Sequence, residues 1–347
     1  MCMGGGGGTM CKVVPMCGAA GVRALCCATQ GRKRLRTLKG SQFARTAGGY
    51  PLSAVQNLAV AVDGLQKRYG DFCLDIPSLN IGRGEFAGLI GENGAGKSTF
   101  IKLVLGLISK DSGSIRVNNR DKVDENLKKK IGVVFDQCCF TGIMTAAQLN
   151  KMFSGVYGDD WDEEKYLSLI DHFKLPFDKK IVEFSQGMKA KLSIISALSH
   201  SPDLLILDEA TSALDPVVRH EINDVLGSYV KKSGCTVLFS SHLVNELEQL
   251  CDRILIMSGG QIVMQTCPKE LENEFYVMKT DRKTEIPQGV FSCLKKDDGN
   301  HCLFKGLPDK VPAGATMSEG ISADDLLFYI EKGVTADGKP VKGGLRK

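Results

Sequence analysis

Residues 91–98 read GENGAGKS, and this stretch decides the fold of the chain. It fits the pattern G-x-x-x-x-G-K-[ST] without a mismatch, and it lies between an apolar run at 86–90 and a helix-like segment at 98–107. Glycines at these spacings let backbone N–H groups curl around phosphate oxygens, and the following helix N-terminus adds positive potential. We therefore predict a strand, a phosphate-binding loop and a helix, in that order. The predicted nucleotide-binding residues of the loop are Gly91, Asn93, Gly94, Ala95, Gly96, Lys97, Ser98 and Thr99.

Side chains of the loop and of a second segment carry the predicted chemistry. Lys97 is expected to reach the β and γ phosphates of the nucleotide, and the Ser98 hydroxyl is expected to bind Mg²⁺. The apolar run 204–207 ends in Asp208 and Glu209, at the carboxyl end of a buried strand, where ligand sites of α/β proteins form. We predict that Asp208 holds Mg²⁺ directly or through water. Glu209 is predicted to act as the general base that polarises the attacking water.

Working outward from the loop, the pattern of apolar runs predicts a doubly wound α/β core. Runs at 131–135, 204–207 and 236–240 are largely apolar, as buried parallel strands are. Between 137 and 198 helical patterns dominate, with helices expected over 163–173 and 188–198, so we predict a helical insertion there. After about residue 268 short strands are expected at 275–278, 289–294 and 302–304, followed by a closing helix over 322–331. The fold class is therefore α/β, with a helical subdomain and a small α+β C-terminal module over 269–347.

Composition separates the first 54 residues from the rest. Eight of the 44 basic residues and none of the 40 acidic ones lie in positions 1–62, so the remainder carries 36 basic against 40 acidic side chains. The positive balance therefore belongs to this extension and gives no reason to expect nucleic-acid binding by the body. The extension resembles an organellar transit peptide in lacking acidic residues, but a disordered or mis-started leader explains its glycine run better.

The cysteines give no reason to expect a disulfide scaffold or a zinc protein, and the apolar runs give no reason to expect a membrane-spanning one. Of the 13 cysteines, none forms a C-x-x-C pair, so we expect reduced thiols in a cytosolic protein rather than a disulfide scaffold or a zinc site. The longest apolar runs fall far short of the roughly 20 residues that a membrane-spanning helix needs. We therefore expect no membrane span in this sequence.

Five further segments appear in an order that resembles the ATP-binding cassette (ABC) ATPases. FSQGM at 184–188 resembles the signature LSGGQ, SALD at 212–215 resembles the D-loop, and SSH at 240–242 ends in a residue like the switch histidine. KRYG at 67–70 contains an aromatic residue like the one that stacks on adenine, and VVFDQ at 133–137 resembles the Q-loop. The resemblance covers roughly residues 58–268, and it places a mixed-sheet ABC cassette over 55–268 with a helical subdomain at about 137–198.

The resemblance implies a role for each matching residue. Tyr69 is expected to stack on adenine, and His242 to contact the γ-phosphate and fix the attacking water. In the family two cassettes face head to tail, so Ser185 and Gly187 are expected to close the phosphate site of a partner cassette. Asp215 is expected to couple the two sites across that interface. Half of each active site therefore comes from a second ATP-binding subunit, in a homodimer or a heterodimer.

The sequence also departs from the family pattern. Gln186 replaces the first signature glycine and Met188 replaces the last glutamine, so the signature contact has different side chains at these two positions. Asp136 stands where the Q-loop usually has glutamine, and Gln137 follows it, so either is a candidate ligand at the Mg²⁺ site. The pattern FSQGMKAKL is similar to single-cassette subunits of bacterial drug or peptide exporters.

Three functions remain open at this point. The first is an ATPase subunit that powers a separate transmembrane permease from the inner face of the cell membrane. The second is a soluble ABC ATPase acting on nucleic acid or ribosomes. Only 88 positions separate Lys97 from Ser185, which is too few for the long coiled coil that the DNA-maintenance members insert there. The third is a nucleotide-regulated binding module that has lost turnover, prompted by Gln186 and Met188.

Overall fold

A computed structural model describes residues 57–212, 214–308, 311–337, 339 and 341 of the chain. The extension predicted at 1–54 lies outside these residues. The predicted domain boundaries at 54 and 268 remain predictions. In the part of the chain that is described, no helix combines the length and the apolar character needed to cross a bilayer.

A six-stranded sheet forms the centre of the nucleotide-binding region, in the order β5-β6-β7-β3-β8-β9. Its parallel strands are fully or largely buried because they are apolar on both faces. The antiparallel strand β9 closes one edge, so the sheet is mixed, as predicted. The strands are β3 (Phe86–Ile90), β5 (Ile131–Phe135), β6 (Leu204–Asp208), β7 (Thr236–Ser240), β8 (Arg253–Ser258) and β9 (Gln261–Thr266).

A three-stranded antiparallel sheet in the order β2-β1-β4 packs against the other side of the first helix. It consists of β1 (Leu58–Tyr69), β2 (Phe72–Gly82) and β4 (Ser112–Val117). Helix α1 (Lys97–Val104) buries Phe100 and Ile101 between the two sheets. This packing fixes the direction in which the N-terminus of α1 points.

Helix α1 ends earlier than the sequence pattern predicted. It stops at Val104 rather than at Leu107 because Gly106 adopts a left-handed conformation with φ 67°. The N–H of Gly106 bonds to the carbonyl of Leu103, and the N–H of Leu107 bonds to that of Lys102. This pair of bonds is a Schellman motif, which ends a helix.

The region between β5 and β6 is helical. After the short helix α2 (Glu125–Lys128), which precedes β5, the chain forms α3 (Ala146–Tyr157), α4 (Glu163–His172) and α5 (Gln186–Leu198). Short 3₁₀ turns at Gly158–Asp160 and Ile181–Glu183 join them. The helices predicted over 163–173 and 188–198 are confirmed, with small differences at their ends.

After β6 and β7 come α6 (Pro216–Ser233) and α7 (Val244–Leu250), each of which leads into the next strand of the sheet. A C-terminal α+β module follows. Helix α8 (Pro268–Asn273) leads into a sheet of order β11-β12-β10-β13. The module contains β10 (Phe275–Thr280), β11 (Ser292–Lys296), β12 (Gly299–Lys305), β13 (Thr316–Glu319) and α9 (Ala323–Lys332).

The strand predicted at 289–294 begins three residues later than expected, and the other predicted elements of the module are confirmed within a few residues. Gly289 has a φ of 80°, which lies outside the extended region. The backbone amide of Ala323, at the start of α9, donates to the carboxylate of Glu248 on α7. The module is thus packed against the helix that follows His242.

Candidate nucleotide-binding site

The phosphate-binding loop runs from the end of β3 to the start of α1. A Cβ on Gly91 would overlap the carbonyl oxygen of Met257, so only glycine fits at that position. Gly94 and Gly96 have φ values of 83° and 111°, which favour glycine as well. Gly96 is the N-cap of α1. The glycines of the motif are therefore required by the backbone path that brings the loop's amides to the helix N-terminus.

Lys97 lies at the centre of the loop with only 6% of its side chain exposed. Its ammonium donates to the carbonyl of Gly91 at 2.7 Å and to that of Glu92 at 3.4 Å. It also lies 3.4 Å from Oε1 of Glu209. In this conformation the ammonium that is predicted to bind phosphate is therefore held by the loop and by a carboxylate.

Asp208 closes the other side of the loop from the end of β6. Its Oδ1 accepts a bond of 3.3 Å from the hydroxyl of Ser98 and one of 2.7 Å from that of Ser240. Carboxylate and hydroxyl oxygens are ligands that suit Mg²⁺, which fills its remaining positions with phosphate oxygens and water. The Ser98 hydroxyl and the Asp208 carboxylate therefore suit such an ion, although no cluster of three acidic residues surrounds them among the described residues.

Glu209 and His242 meet beside Lys97. The Nδ1 atom of His242 lies 2.6 Å from Oε2 of Glu209, although the two residues are carried by different loops. Glu209 has a φ of 54°, a left-handed conformation that is strained for a residue with a side chain. Its N–H donates to the carbonyl of Ser240, which fixes its position at the end of β6. The predicted base, switch histidine and phosphate-binding lysine thus form one continuous set of contacts.

The signature segment lies elsewhere. Ser185 is the N-cap of α5, and its hydroxyl accepts the N–H of Met188 at 3.2 Å. Gly187 faces Val218 of α6, since a Cβ on this glycine would lie 3.5 Å from Val218 Cγ1. Among the described residues, the hydrogen bonds of Ser185 stay within its own helix and none reaches the phosphate loop. The structure therefore does not bring Ser185 and Gly187 together with Lys97 inside one chain.

The other predicted residues lie at the edges of the site. Asp215 caps α6 by accepting the N–H groups of Val217 and Val218, each at 3.1 Å. Asp136 and Gln137 are exposed and follow β5, whose last residue pairs with Asp208. Their side chains make no contact with Ser98 among the described hydrogen bonds. The part of the chain that is described therefore shows no hydrogen bond between either residue and the Ser98 hydroxyl.

Tyr69 ends β1 and leaves about half of its surface exposed, at 49%. The ammonium of Lys67 lies 5.3 Å from the centre of its ring and is itself paired with Asp111 at 2.8 Å. A cation at that distance adds an electrostatic contact to the ring. The exposed part of the ring is available for stacking.

Sequence reasoning missed Ser240, which holds Asp208. Parallel pairing places Ser240 directly opposite Asp208 at the ends of β7 and β6. A polar residue closing an otherwise apolar strand, two positions before His242, is the signal that could have identified it. A buried cluster around Glu246 was missed as well.

The chain is similar in sequence and in fold to known proteins. The ABC transporter family model matches residues 74–212. A lantibiotic transport ATP-binding protein of Streptococcus pyogenes is 37% identical over 207 residues, covering 59% of this chain and 89% of that protein. An uncharacterized ABC transporter ATP-binding protein of Bacillus subtilis is 31% identical over 229 residues, covering 65% of this chain and 71% of that protein. A solved ATP-binding subunit of an ABC transporter superposes with a TM-score of 0.56 at 26% identity, over 62% of this chain and 92% of its own.

Proposed function

The chain belongs to the ABC transporter ATP-binding proteins, and from this premise we propose that the site around Lys97 binds ATP with Mg²⁺ and hydrolyses it to drive a separate membrane permease. The observation that carries the proposal is the set of contacts among Lys97, Glu209 and His242 beside a glycine loop. Such a set combines phosphate binding, a general base and a histidine within one site.

Each residue has a role in this proposal. Backbone amides of the loop bind the phosphates, and Lys97 binds the β and γ oxygens once it leaves Glu209. Ser98 and Asp208 would hold Mg²⁺, which when bound neutralises charge on the phosphates. Glu209 accepts a proton from the attacking water on its carboxylate. Positioning and electrostatics, rather than covalent chemistry, supply the rate enhancement.

The contact between His242 and Glu209 restricts which ring nitrogen of His242 is free to donate to phosphate. When Nδ1 of His242 donates to Glu209, a neutral ring has no proton on Nε2. Donation from Nε2 to the γ-phosphate then requires a second proton on the ring. We propose that Glu209, 2.6 Å away, orients the ring of His242 so that Nε2 contacts the γ-phosphate and holds it in place.

The proposal includes a second cassette. Ser185 caps a 13-residue helix whose N-terminus carries positive potential, and its hydroxyl can donate to an oxygen while accepting the N–H of Met188. Because these groups make no contact with the loop of their own chain, we propose that they close the site of a partner cassette. Asp215, at the N-cap of the neighbouring helix α6, would contact the partner as well.

We further propose a peripheral position on the inner face of the cell membrane, bound to a permease that moves drugs or peptides. The lantibiotic-transport relative supports this class of cargo. The alternative of a soluble ABC ATPase acting on nucleic acid or ribosomes has no observation in its favour among the described residues.

Two measurements test the proposal. The purified chain should hydrolyse ATP with Mg²⁺, and Lys97→Ala should lose that activity while keeping its thermal transition. Affinity purification from detergent-solubilised membranes should recover a multi-spanning membrane protein. Recovery of ribosomes or DNA instead, or equal activity of the Lys97→Ala variant, would reject the proposed function.

A further inference from the structure

A buried charged cluster joins the loop after Glu209 to the helix after His242. Oε2 of Glu246, on α7, accepts the hydroxyl of Thr211 at 2.8 Å. Oε1 of Glu246 lies 2.7 Å from Nε of Arg219, on α6. A second guanidinium nitrogen of Arg219 donates to the carbonyl of Leu214 at 2.7 Å. Three segments of chain thus meet at one carboxylate and one guanidinium.

The carboxylate and the hydroxyl of the cluster are deeply buried, whereas the Arg219 side chain is 22% exposed. Glu246 is 7% exposed and Thr211 is fully buried. Burial raises the pKa of Glu246 above its ordinary value, while the Thr211 hydroxyl and the Arg219 guanidinium oppose that rise. Arg219 Nε and Glu246 Oε1 have no well-aligned hydrogen bond among the described residues, so their 2.7 Å contact is an ion pair in which the partly exposed guanidinium compensates the buried carboxylate. A buried carboxylate costs free energy, and hydrophobic packing would serve stability at least as well.

The cluster has a geometric relation to the site. Thr211 and Leu214 lie in the loop that begins at Glu209, and Glu246 lies on a helix that begins two residues after His242. Both loops are connections between a strand and a helix, and Glu209 is held in a strained left-handed conformation. Strained residues persist only where the surroundings fix them. The 2.6 Å contact between Glu209 and His242 therefore depends on how these two loops are held relative to each other.

We propose that Glu246 and Arg219 are positioning residues that set the distance between Glu209 and His242. The inference rests on the proposed function, since it concerns the same site. Glu246 connects Thr211 to α7, and Arg219 connects Leu214 to the same carboxylate. The loop that follows Glu209 and the helix that follows His242 therefore move as one unit. Because Arg219 lies one turn after Asp215, the unit also includes the residue proposed to face the partner cassette.

The test compares this pair with a matched pair far from the chemistry. Arg253 contacts Glu85 at 2.5 Å, and the Glu85 side chain is 18% exposed. These two residues lie at the starts of β8 and β3, whereas the phosphate loop follows the other end of β3. The control variant Glu85→Gln therefore removes a partly buried carboxylate of an ion pair without touching either loop of the site.

We expect Glu246→Gln to lower kcat about tenfold while the KM for ATP stays within about twofold, because a small misplacement of reacting groups lowers the rate and Lys97 still binds phosphate. Arg219→Lys keeps the charge beside Glu246 but loses the planar fork that also reaches Leu214, so it should fold and should lower kcat as well. The double variant should lose no more than either single one, since both break the same unit. Glu85→Gln should keep the wild-type kcat.

Each outcome distinguishes the inference from the proposed function. A wild-type kcat in both Glu246→Gln and Arg219→Lys would overturn the positioning role while leaving the ATPase proposal intact. A change confined to KM, or an equal loss of kcat in Glu85→Gln, would overturn it too. A wild-type protein that does not hydrolyse ATP would instead reject the proposed function itself.

Discussion

Replacing Glu209 with glutamine should slow hydrolysis and tighten ATP binding at the same time. Glu209 contacts Lys97 at 3.4 Å in the structure, so the lysine must leave this carboxylate before it can bind phosphate. Glutamine has nearly the same shape but carries no charge. The substitution therefore removes both the proposed base and a group that competes with ATP for the lysine.

The size of the affinity change follows from the environment of the pair. Lys97 is 6% exposed and Glu209 is 18% exposed, so water screens their attraction only in part. At 3.4 Å the Coulomb attraction is about 5 kcal/mol with an effective dielectric constant of about 20. Desolvation of both groups offsets most of it, and the net value for such contacts is about 1–2 kcal/mol. We therefore expect the Kd for ATP to fall about 5- to 30-fold. Loss of a general base should lower kcat about 10²- to 10⁴-fold.

Two assays measure these effects separately. Steady-state phosphate release gives kcat, and equilibrium titration with a fluorescent ATP analogue at low protein concentration gives the Kd. The Glu85→Gln variant is a suitable control, because the Glu85 side chain is also 18% exposed and lies at the end of β3 that is farther from the phosphate loop. Unchanged turnover in Glu209→Gln would refute the role as base. A Kd equal to or weaker than that of the wild type would refute the competition for Lys97.

Substitutions at three further positions test the remaining parts of the site. Ser185→Ala removes the cap that accepts the N–H of Met188 and should lower the free energy of unfolding by about 1 kcal/mol, measured by thermal unfolding. Ser185→Asp keeps the cap but brings a negative charge close to the phosphate of the partner site. It should therefore abolish the ATP-dependent dimer in size-exclusion chromatography. An Asp variant that still dimerises would contradict the contact with a partner. Gly96→Ala places a Cβ on a residue whose φ is 111°, within 3.0 Å of Phe72, so the Kd for ATP should rise at least about tenfold. An unchanged Kd would show that the loop tolerates the strain. Tyr69→Ala should raise the same Kd about tenfold while Tyr69→Phe leaves it within about twofold, and equal values in both variants would reject stacking on adenine.

The phosphate loop and the strands around it could be predicted because their requirements are local. Glycine is strongly favoured where the backbone turns left-handed, as at Gly96, or passes close to another chain segment, as at Gly91. The buried strands β3, β5 and β7 were predicted with their observed ends, since apolar residues on both faces indicate burial in any context. The polar end of the apolar run 204–207 then predicted Asp208 and Glu209, and the resemblance to a family added His242.

The ends of helices were less predictable. The amphipathic pattern after Lys97 continues past Val104, but the left-handed Gly106 lets two backbone bonds close the helix. A glycine in a helical pattern does not by itself reveal which carbonyls its neighbours will satisfy. The sequence therefore predicts that α1 exists more reliably than where it stops.

The sequence by itself predicted which side chains carry the chemistry, from their types, from their local spacing and, for His242, from the family resemblance. Only the tertiary structure decided which of them touch: Asp208 with Ser240, Glu209 with both Lys97 and His242, and Glu246 with Thr211 and Arg219. These partners lie on separate strand ends and helices. Their contacts depend on the register of parallel strands and on the packing of α6 and α7, which no local pattern of residues specifies.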